Sequence, residues 1–417
     1  MDRVPSTDER PTGSDLAAPQ ARGVAPTAAQ NLPRRLRRIL SLEDLEPAAR
    51  AHLPRPIFEF VAGGAESNAA RSDNRAAFAE YGFVPRVLTD VSKRSQATTL
   101  LGRTYATPFG LAPMGMSALV AFRGDLVLAQ AAAAANVPMI MSGSSLIPLE
   151  DVAKAGRTAW FQAYLPGEPD RILALIDRVE AAGFDTLLLT VDVAVQANRE
   201  NNIRAGFTTP LRPSLRLALD GAIRPRWLIG TAARTLARHG MPHFENSYAT
   251  RGAPILARNV LRDFGARDHL DWKHLDLMRK RWKGKLVVKG VMHPGDAQRI
   301  GDHGADGIIV SNHGGRQLDG AVSPLRVLPE VAAAAGGMAV MFDSGIRRGT
   351  DVLKALALGA QFVFVGRPFL YAAAIGGEPG VRRGIDLLSE EINRDMALMG
   401  INSPTELGPE SLMRLPR

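Results

Sequence analysis

The feature that most constrains the fold is a short phrase that recurs along the chain. Ala-Gly-Phe-Asp at 182–185, His-Gly-Ala-Asp at 303–306 and Leu-Gly-Ala-Gln at 358–361 each place a glycine at a predicted helix end, directly before an apolar run. The apolar runs after residue 108 cover 109–113, 138–142, 159–165, 186–191, 285–289, 307–311, 338–342 and 362–366. Because polar and apolar residues do not alternate within them, these runs predict strands of a parallel sheet that are buried on both faces.

Amphipathic stretches between the runs predict helices. They cover 125–135, 168–182, 271–282, 294–302 and 351–358. Eight strands with intervening helices over about 260 residues predict an α/β fold, a (β/α)8 TIM barrel. A doubly wound open sheet is the alternative, and the count of eight strands favours the barrel. Before the barrel, Ser41 is a predicted helix N-cap, and a helix over 55–62 ends at Gly63-Gly64.

Three segments are distinguished by their patterns. Residues 1–36 begin with a stretch that lacks apolar periodicity, and we expect them to form a disordered tail. The barrel domain is predicted over 37–410. The long gap at 194–270 follows the fourth strand, so it is predicted to be an insertion over the active-site face, either a lid or partly disordered.

Composition narrows the classes of function. The chain has 46% apolar and 22% charged residues, as in ordinary globular proteins, and it has no cysteine. Disulfides, thiolate metal sites and a cysteine nucleophile are therefore excluded. His239 and His243 have no evident third ligand, so no metal site is predicted. No apolar run predicts a spanning helix, and the N-terminal residues lack the pattern of a secretory signal, so we expect a cytoplasmic protein.

Positive charge is concentrated in one segment. The net charge is +9, and residues 211–262 hold nine arginines against Asp220 and Glu245, beside the apolar run 227–229. A solvated arginine-rich insertion is the simpler interpretation. The alternative is contact with an anionic membrane surface, which would place the protein at the inner face of the membrane. No nucleic-acid-binding motif accompanies the charge, so nucleic acid is not an expected partner.

The run Ser-Asn-His-Gly-Gly-Arg-Gln-Leu-Asp at 311–319 is the most informative motif. His313 follows a predicted strand, at the end where barrel enzymes place catalytic groups. Arg316 lies three residues later and can offer a planar fork to a carboxylate. A histidine base beside an arginine suits proton removal from a small anionic acid.

This run resembles the signature of the FMN-dependent α-hydroxy acid dehydrogenases and oxidases, a family that includes glycolate oxidase, flavin-type L-lactate dehydrogenase and mandelate dehydrogenase. The resemblance covers about residues 37–410, with several motifs in the expected order. It implies an FMN cofactor and oxidation of an L-2-hydroxy acid to the 2-oxo acid. It also implies a homo-oligomer, a tetramer in this family, and a quinone or dioxygen as the electron acceptor.

The resemblance assigns roles to five residues. His313 is the expected base, and Asp192, in the Thr-Val-Asp segment after the fourth strand, is expected to pair with it. Arg199 and Arg316 are expected to bind the substrate carboxylate. Tyr164 is expected to hydrogen-bond the substrate.

An FMN phosphate site is predicted from the loops after strands seven and eight, the usual phosphate-binding place in barrels. Its candidate residues are Asp343, Ser344, Gly345, Arg347, Gly366 and Arg367. The resemblance adds Lys289 at the N1–O2 edge of the flavin. It also adds ring or ribityl contacts from Ser142, Gln162, Thr190 and Ser311, and a ring face formed by Pro113, Met114 and Gly115.

Two departures from the family pattern leave alternatives open. Phe60 stands where the family has a substrate-binding tyrosine, which either weakens binding of small acids or enlarges an apolar pocket. Gly115 is typical of dehydrogenase-type members. One alternative is the same FMN chemistry on an amine or a peptide-derived substrate. Another is a non-catalytic, flavin-bearing module that binds membrane surfaces.

Overall fold

The computed structural model describes residues 32–208, 212, 214–257 and 267–416, and the chain divides into two compact units, 1–38 and 39–417. In the first unit, a short helix spans Arg34–Arg37, and the carbonyl of Pro33 accepts the N–H groups of its third and fourth residues. The predicted tail boundary at residue 36 therefore falls inside a helix. The predicted disorder of residues 1–31 lies outside the described residues.

The second unit is built on a closed barrel of eight parallel strands. In chain order these are β4 (Phe109–Leu111), β5 (Met139–Ser142), β6 (Ala159–Ala163), β7 (Thr186–Thr190), β8 (Lys285–Val291), β9 (Gly307–Val310), β10 (Ala339–Asp343) and β11 (Phe362–Val365). Each strand pairs with the next, and β11 closes onto β4 with Val363 opposite Phe109. The predicted (β/α)8 barrel is confirmed.

Large apolar side chains fill the barrel interior. Trp160, Met341 and Phe364 belong to one buried cluster, together with Tyr105. Tyr105 comes from the antiparallel hairpin of β2 (Thr98–Leu100) and β3 (Arg103–Tyr105), and its ring centroid lies 5.8 Å from that of Phe362, at the start of β11. The hairpin therefore plugs the N-terminal end of the barrel, which leaves the C-terminal end for a site.

Helices alternate with the strands. They span Ser117–Val120, Gly124–Ala134, Leu149–Ala155, Pro169–Ala181, Trp272–Arg281, Pro294–Asp302, Pro324–Ala334, Gly349–Ala357 and Arg367–Met399, the last with a break at Gly377. Within the described residues, none of the helices combines the length and the apolar character that a membrane crossing requires.

The N-terminal part of this unit is helical, as predicted. Leu42–Asp44 is a 3-10 turn, and helices span Leu45–His52, Arg55–Ala62 and Ala69–Ala76, followed by a 3-10 turn at Ala77–Glu80. The N–H of Ser41 donates to the carboxylate of Asp44 at 3.0 Å. Outside the barrel, β1 (Tyr81–Phe83) pairs antiparallel with β12 (Leu412–Arg414), and 3-10 turns at Pro404–Glu406 and Pro409–Ser411 precede β12.

The described part of the insertion after β7 contains several short helices and no strand longer than a single bridge. It contains helices at Glu200–Ala205, Leu215–Ala222, Pro225–Trp227 and Arg234–His239, and a π-helix at Leu228–Ala233. A single bridge joins His243 to Pro254. Residues 209–211, 213 and 258–266 lie outside the description, so the prediction of partial disorder is not addressed there.

Candidate active site

A cavity of about 640 Å³ opens at the C-terminal ends of the barrel strands. Its walls include Pro113 after β4, Tyr164 after β6, Lys289 in β8 and Gly366 after β11. The insertion contributes a further wall through residues such as Phe207. The insertion therefore contributes side chains to the wall of this cavity, at the end of the barrel where its place after the fourth barrel strand puts it.

His313 enters this cavity from a left-handed turn after β9. Its φ is +59°, and the two glycines that follow also have positive φ, +67° and +71°. A histidine in this conformation is uncommon, and such backbone strain persists only where surrounding contacts impose it. The N–H of His313 donates to the Ser311 hydroxyl at 3.0 Å, and the N–H of Gly314 donates to the Ser344 hydroxyl at 3.0 Å.

The imidazole of His313 is paired with Asp192. Nδ1 lies 2.8 Å from a carboxylate oxygen of Asp192, which follows β7. Burial lowers the pKa of His313 below its ordinary value, against the opposing effect of the Asp192 charge. Burial acts to raise the pKa of Asp192, but the charges of His313 and Lys289 outweigh it and lower this pKa. A neutral imidazole beside an ionised carboxylate is therefore the favoured state near neutral pH.

Two half-buried arginines lie on the same side of the cavity. Arg316 donates to the carbonyls of Val61 (3.2 Å) and Gly63 (2.9 Å), whereas Arg199 donates to the side-chain oxygen of Gln317 at 2.8 Å. Burial lowers the pKa of both guanidinium groups, and the charge of Arg199 lowers that of Arg316 further. Among the described residues, neither forms an ion pair with a carboxylate. Since guanidinium remains protonated, the pair favours an anion in the cavity.

Tyr164, after β6, lines the same cavity as these two arginines. Burial raises the pKa of its phenol, so the hydroxyl is a neutral hydrogen-bonding group. The guanidinium carbon of Arg267 lies 4.7 Å from the centroid of the Tyr164 ring, and Arg267 also lines the cavity. The sequence reasoning missed Arg267, because nothing near it in the chain marks it as part of a site.

An apolar wall lies beside the arginines. The rings of Phe60 and Phe207 stack with centroids 4.6 Å apart, and the guanidinium carbon of Arg316 lies 5.4 Å from the centre of the Phe60 ring. Phe60 was singled out in the sequence. Phe207 was not, since its partner is about 150 residues away and no local pattern links the two.

The interior end of the cavity fits the ring of FMN. Lys289 is buried, and its ammonium group contacts the Ser311 hydroxyl at 2.8 Å and Asp343 at 3.2 Å. Burial acts to lower the pKa of Lys289, but Asp343 and Asp192 outweigh it and raise the pKa. The Thr190 hydroxyl and the Gln162 amide nitrogen are buried without a hydrogen-bond partner among the described residues. Such orphaned groups suit a polar heterocycle.

The loops after β10 and β11, where the sequence predicts a phosphate site, form another part of the cavity wall. Arg347 is buried, and among the described residues its guanidinium donates only to the Ile346 carbonyl. The helix Arg367–Met399 begins here, and helix N-termini favour anions. The guanidinium of Arg367 donates to three backbone carbonyls, at Val61, Gly63 and Gly314, and burial lowers its pKa to about 10. Its side chain thus holds protein segments, and its helix end faces the cavity.

The structure brings most of the predicted site residues to the cavity wall. Those that line it are Pro113, Met114, Gly115, Tyr164, Thr190, Arg199, Lys289, His313, Arg316, Asp343, Ser344, Gly345, Arg347, Gly366 and Arg367. Asp192, Ser142, Gln162 and Ser311 lie behind the wall, where Asp192 bonds His313, Ser311 bonds Lys289 and Ser142 bonds Gln162 at 3.2 Å. Within the described part of the chain, no three His, Asp or Glu side chains are grouped as metal ligands.

Comparisons with known proteins identify the family to which the chain belongs. The family described as FMN-dependent dehydrogenase matches residues 49–414. The chain is 36% identical to (S)-mandelate dehydrogenase of Pseudomonas putida, over 90% of this chain and 94% of that protein. It is 39% identical to L-lactate dehydrogenase of Caulobacter sp. (strain K31), over 91% of this chain and 100% of that protein.

Solved structures of mandelate dehydrogenase and mandelate oxidase have a similar fold. The crystal structure of the monotopic membrane protein (S)-mandelate dehydrogenase superposes with a TM-score of 0.85 at 36% identity, covering 91% of this chain and 100% of that chain. A structure of mandelate oxidase with benzoyl-formic acid superposes with a TM-score of 0.74 at 36% identity, covering 90% and 98% of the two chains.

Proposed function

This chain belongs to the FMN-dependent dehydrogenase family, and we propose from that premise that it oxidises an L-2-hydroxy acid to the 2-oxo acid. The observation that carries the proposal is the His313–Asp192 pair, which faces a cavity shared with two half-buried arginines. FMN, when bound, takes up the two electrons that leave the acid. The remaining steps are the work of the protein's own side chains.

His313 is the proposed base. An ionised carboxylate only accepts hydrogen bonds, so the Nδ1 of His313 donates to Asp192 and its Nε2 keeps a lone pair. That lone pair takes a proton from the acid. As the imidazole becomes charged, Asp192 stabilises it and keeps the ring in one orientation. The lowered pKa of His313 keeps the base unprotonated at neutral pH before the reaction.

Arg199 and Arg316 are proposed to hold the substrate carboxylate. Both are half-buried and both lack a carboxylate partner among the described residues, so a bound acid would offset their mutual repulsion. Tyr164 supplies a neutral hydroxyl on the same wall. A substrate fixed at its carboxylate presents its second carbon in a defined orientation, which is a large part of the catalytic effect.

The substrate side chain is proposed to be apolar and as large as an aromatic ring. Support comes from the stacked pair Phe60–Phe207 beside Arg316, with Ile203 and Val195 of the insertion also on the cavity wall. These side chains offer no hydrogen bond to a polar substituent. They favour a bulky 2-hydroxy acid over lactate or glycolate.

FMN is proposed to lie with its ring at Lys289 and its phosphate at Arg347 and the Gly366 end of the long helix. The ammonium group of Lys289 would offset negative charge at the ring edge. Thr190 and Gln162 would give their unpartnered polar groups to the ring or its ribityl chain. Ser142, Ser311, Asp343 and Ser344 would fix these side chains or the ribityl hydroxyls.

The electrons are proposed to pass to a quinone-like acceptor in a membrane, with dioxygen as the alternative acceptor. Support comes from the helical insertion, which we define as residues 214–240. It exposes Leu215, Leu219, Ile223, Ile229 and Leu236 together with Arg226 and Arg238. Trp227 instead turns inward, because its indole N–H donates to the Leu119 carbonyl at 2.8 Å. An exposed surface of apolar and cationic side chains fits an anionic lipid surface.

Two alternative functions both predict that 2-hydroxy acids leave FMN oxidised, unlike the proposed one. An amine or peptide-derived substrate is motivated by Phe60, and it would leave FMN unreduced by every 2-hydroxy acid. A non-catalytic flavin-bearing membrane module would show no FMN reduction by 2-hydroxy acids, amines or peptide-derived compounds. The proposal is tested by mixing FMN-loaded protein anaerobically with L-mandelate, longer L-2-hydroxy acids, L-lactate and glycolate. Loss of the flavin absorbance band with the L enantiomers supports it, and an unchanged spectrum with all acids contradicts it.

A further inference from the structure

Two buried amides join the N-terminal helix Ala69–Ala76 to the loop that carries His313. Asn74 Nδ2 donates to Asn312 Oδ1 at 2.8 Å, and Asn312 Nδ2 donates back to Asn74 Oδ1 at 2.7 Å. The two residues are 238 positions apart, and Asn74 is only 1% exposed. A reciprocal pair of this kind satisfies donor and acceptor on both side chains, which a buried amide requires.

The amide of Asn312 also braces the turn that contains the base. Its Oδ1 accepts the N–H of Gly315 at 3.0 Å, while its Nδ2 contacts the Val322 carbonyl at 3.4 Å. Asn312 therefore connects the two sides of the turn. Because Asn74 fixes which way the Asn312 amide faces, it also keeps Oδ1 of Asn312 as an acceptor for Gly315, whose N–H is shared with the backbone carbonyl of Asn312 at 3.0 Å.

This turn needs such support. His313, Gly314 and Gly315 all have positive φ, a backbone conformation that is unfavourable for a residue with a side chain. The strain orients the imidazole so that its Nδ1 reaches Asp192 at 2.8 Å. If the turn relaxed to another backbone conformation, the imidazole would no longer be oriented towards Asp192.

The same helix is packed against both functional loops. A Cβ on Gly315 would lie 2.4 Å from the backbone nitrogen of Arg71, and a Cβ on Gly345 would lie 2.2 Å from the carbonyl oxygen of Asn74. The helix therefore touches the loop of the base and the loop at the phosphate end at van der Waals distance. Asn74 lies where the two loops meet this helix.

We propose that Asn74 is a positioning residue for His313, which acts by fixing the amide of Asn312 and with it the left-handed turn. This inference rests on the proposed function, since it takes His313 to be the base. Asn74 touches neither the cavity nor the base, so its effect passes through Asn312. The role requires an amide: aspartate lacks the N–H groups that donate to Asn312, and alanine lacks both halves of the pair.

The test compares anaerobic FMN reduction by a good L-2-hydroxy acid in wild type, Asn74→Ala, Asn312→Ala and the double variant, across pH. We expect Asn74→Ala to retain FMN and to reduce it roughly 10- to 100-fold more slowly, because a small misplacement of a reacting group has effects of this size. The acid limb of the pH profile, where the rate of FMN reduction falls as His313 becomes protonated, should move to lower pH. Asp192, the group that raises the pKa of His313, would be held less closely, whereas Lys289 and Arg199 would still lower it.

The double variant separates positioning from general stability. If Asn74 acts through Asn312, the double variant is slowed about as much as either single variant, and the losses in unfolding free energy are similarly non-additive. Asp73→Asn is the matched control. It lies on the same helix but bonds Ser323 and Arg326, so we expect its reduction rate and pH limb to match wild type.

Three results would overturn the inference: an Asn74→Ala rate and pH limb like those of wild type, losses that multiply in the double variant, or an equal effect of Asp73→Asn. A wild-type protein that no 2-hydroxy acid reduces would contradict the proposed function itself. A wild type that is reduced normally, with an unaffected Asn74→Ala, would contradict only the positioning role.

Discussion

The imidazole of His313 lies 2.8 Å from the carboxylate of Asp192, although 121 positions separate the two residues in the chain. Each follows a barrel strand, β9 and β7 respectively, and the closed sheet brings these strand ends to the same face. A carboxylate on Nδ1 leaves Nε2 as the proton acceptor. The proposed chemistry depends on this contact, and the predictions below follow from it and from the charges around it.

The first prediction concerns pH. Burial lowers the pKa of His313 below the ordinary value of about 6.5, and the base must be neutral to act. Flavin reduction should therefore be slow in acid, rise with pH and reach its plateau by about pH 7. In Asp192→Asn the limb should move to lower pH, because Asp192 raises the pKa of His313, and the rate should fall by on the order of 10²- to 10⁴-fold.

The measurement is the anaerobic reduction rate between pH 4.5 and 9. Asp306→Asn, at the opposite end of the barrel, is the control, since its carboxylate pairs with Arg279 and Lys285. A limb that stays in place or moves to higher pH in Asp192→Asn would refute the assigned role of the carboxylate.

The second prediction concerns the substrate carboxylate. Arg316→Ala should lower kcat/KM for the acid by on the order of 30-fold or more, since a hydrogen bond to a charged group contributes about 2 kcal/mol. FMN content should be nearly unchanged, because Arg316 bonds carbonyls of the N-terminal helix region. Arg279→Lys, beyond the plugged end, should retain its kcat/KM. Equal turnover of Arg316→Ala and wild type would remove Arg316 from the carboxylate site.

The third prediction concerns substrate size. Phe60→Tyr would add a hydroxyl near Arg316, and one added hydrogen bond of about 1 kcal/mol should raise kcat/KM for L-lactate roughly fivefold. The ratio of L-lactate to L-mandelate turnover should rise with it. Phe83→Tyr, in β1 outside the barrel, is the control. An unchanged substrate ratio would show that the missing hydroxyl does not set the preference.

The fourth prediction concerns membrane contact. The double variant Leu219→Ser with Ile229→Ser removes two exposed apolar side chains from the helical insertion. Binding to vesicles of phosphatidylglycerol and phosphatidylcholine should weaken by about tenfold or more, and wild type should bind pure phosphatidylcholine weakly. Leu398→Ser is a control, since Leu398 is 70% exposed, close to the 67% of Leu219 and the 69% of Ile229, but lies in the helix Arg367–Met399. Equal sedimentation of all three proteins with anionic vesicles would contradict the contact.

The fold was predictable from the sequence because both-face burial of parallel strands leaves a local signature. The strand order, the helix at Arg55–Ala62 and the place of His313 at a strand end follow from such local patterns. The roles of Asp192, Arg199 and Lys289 came from family resemblance, because their meaning depends on what lies across the barrel mouth.

Long-range contacts escaped the sequence reasoning. The Asn74–Asn312 pair joins residues 238 positions apart, and no spacing rule links two asparagines over that distance. The stacking of Phe207 on Phe60 and the carbonyl contacts of Arg367 are of the same kind. Trp227 belongs to the apolar run 227–229 beside the arginines, and no local pattern predicts that its indole N–H donates to the Leu119 carbonyl.

The most direct test of the central claim is the anaerobic reduction of FMN-loaded protein by a good L-2-hydroxy acid, followed by flavin absorbance in wild type and in His313→Ala. The account predicts complete reduction of wild type within the mixing experiment. It predicts that His313→Ala is reduced about 10²- to 10⁴-fold more slowly. Arg199 and Arg316 should still bind the acid in this variant. Equal reduction rates for the two proteins would contradict the account.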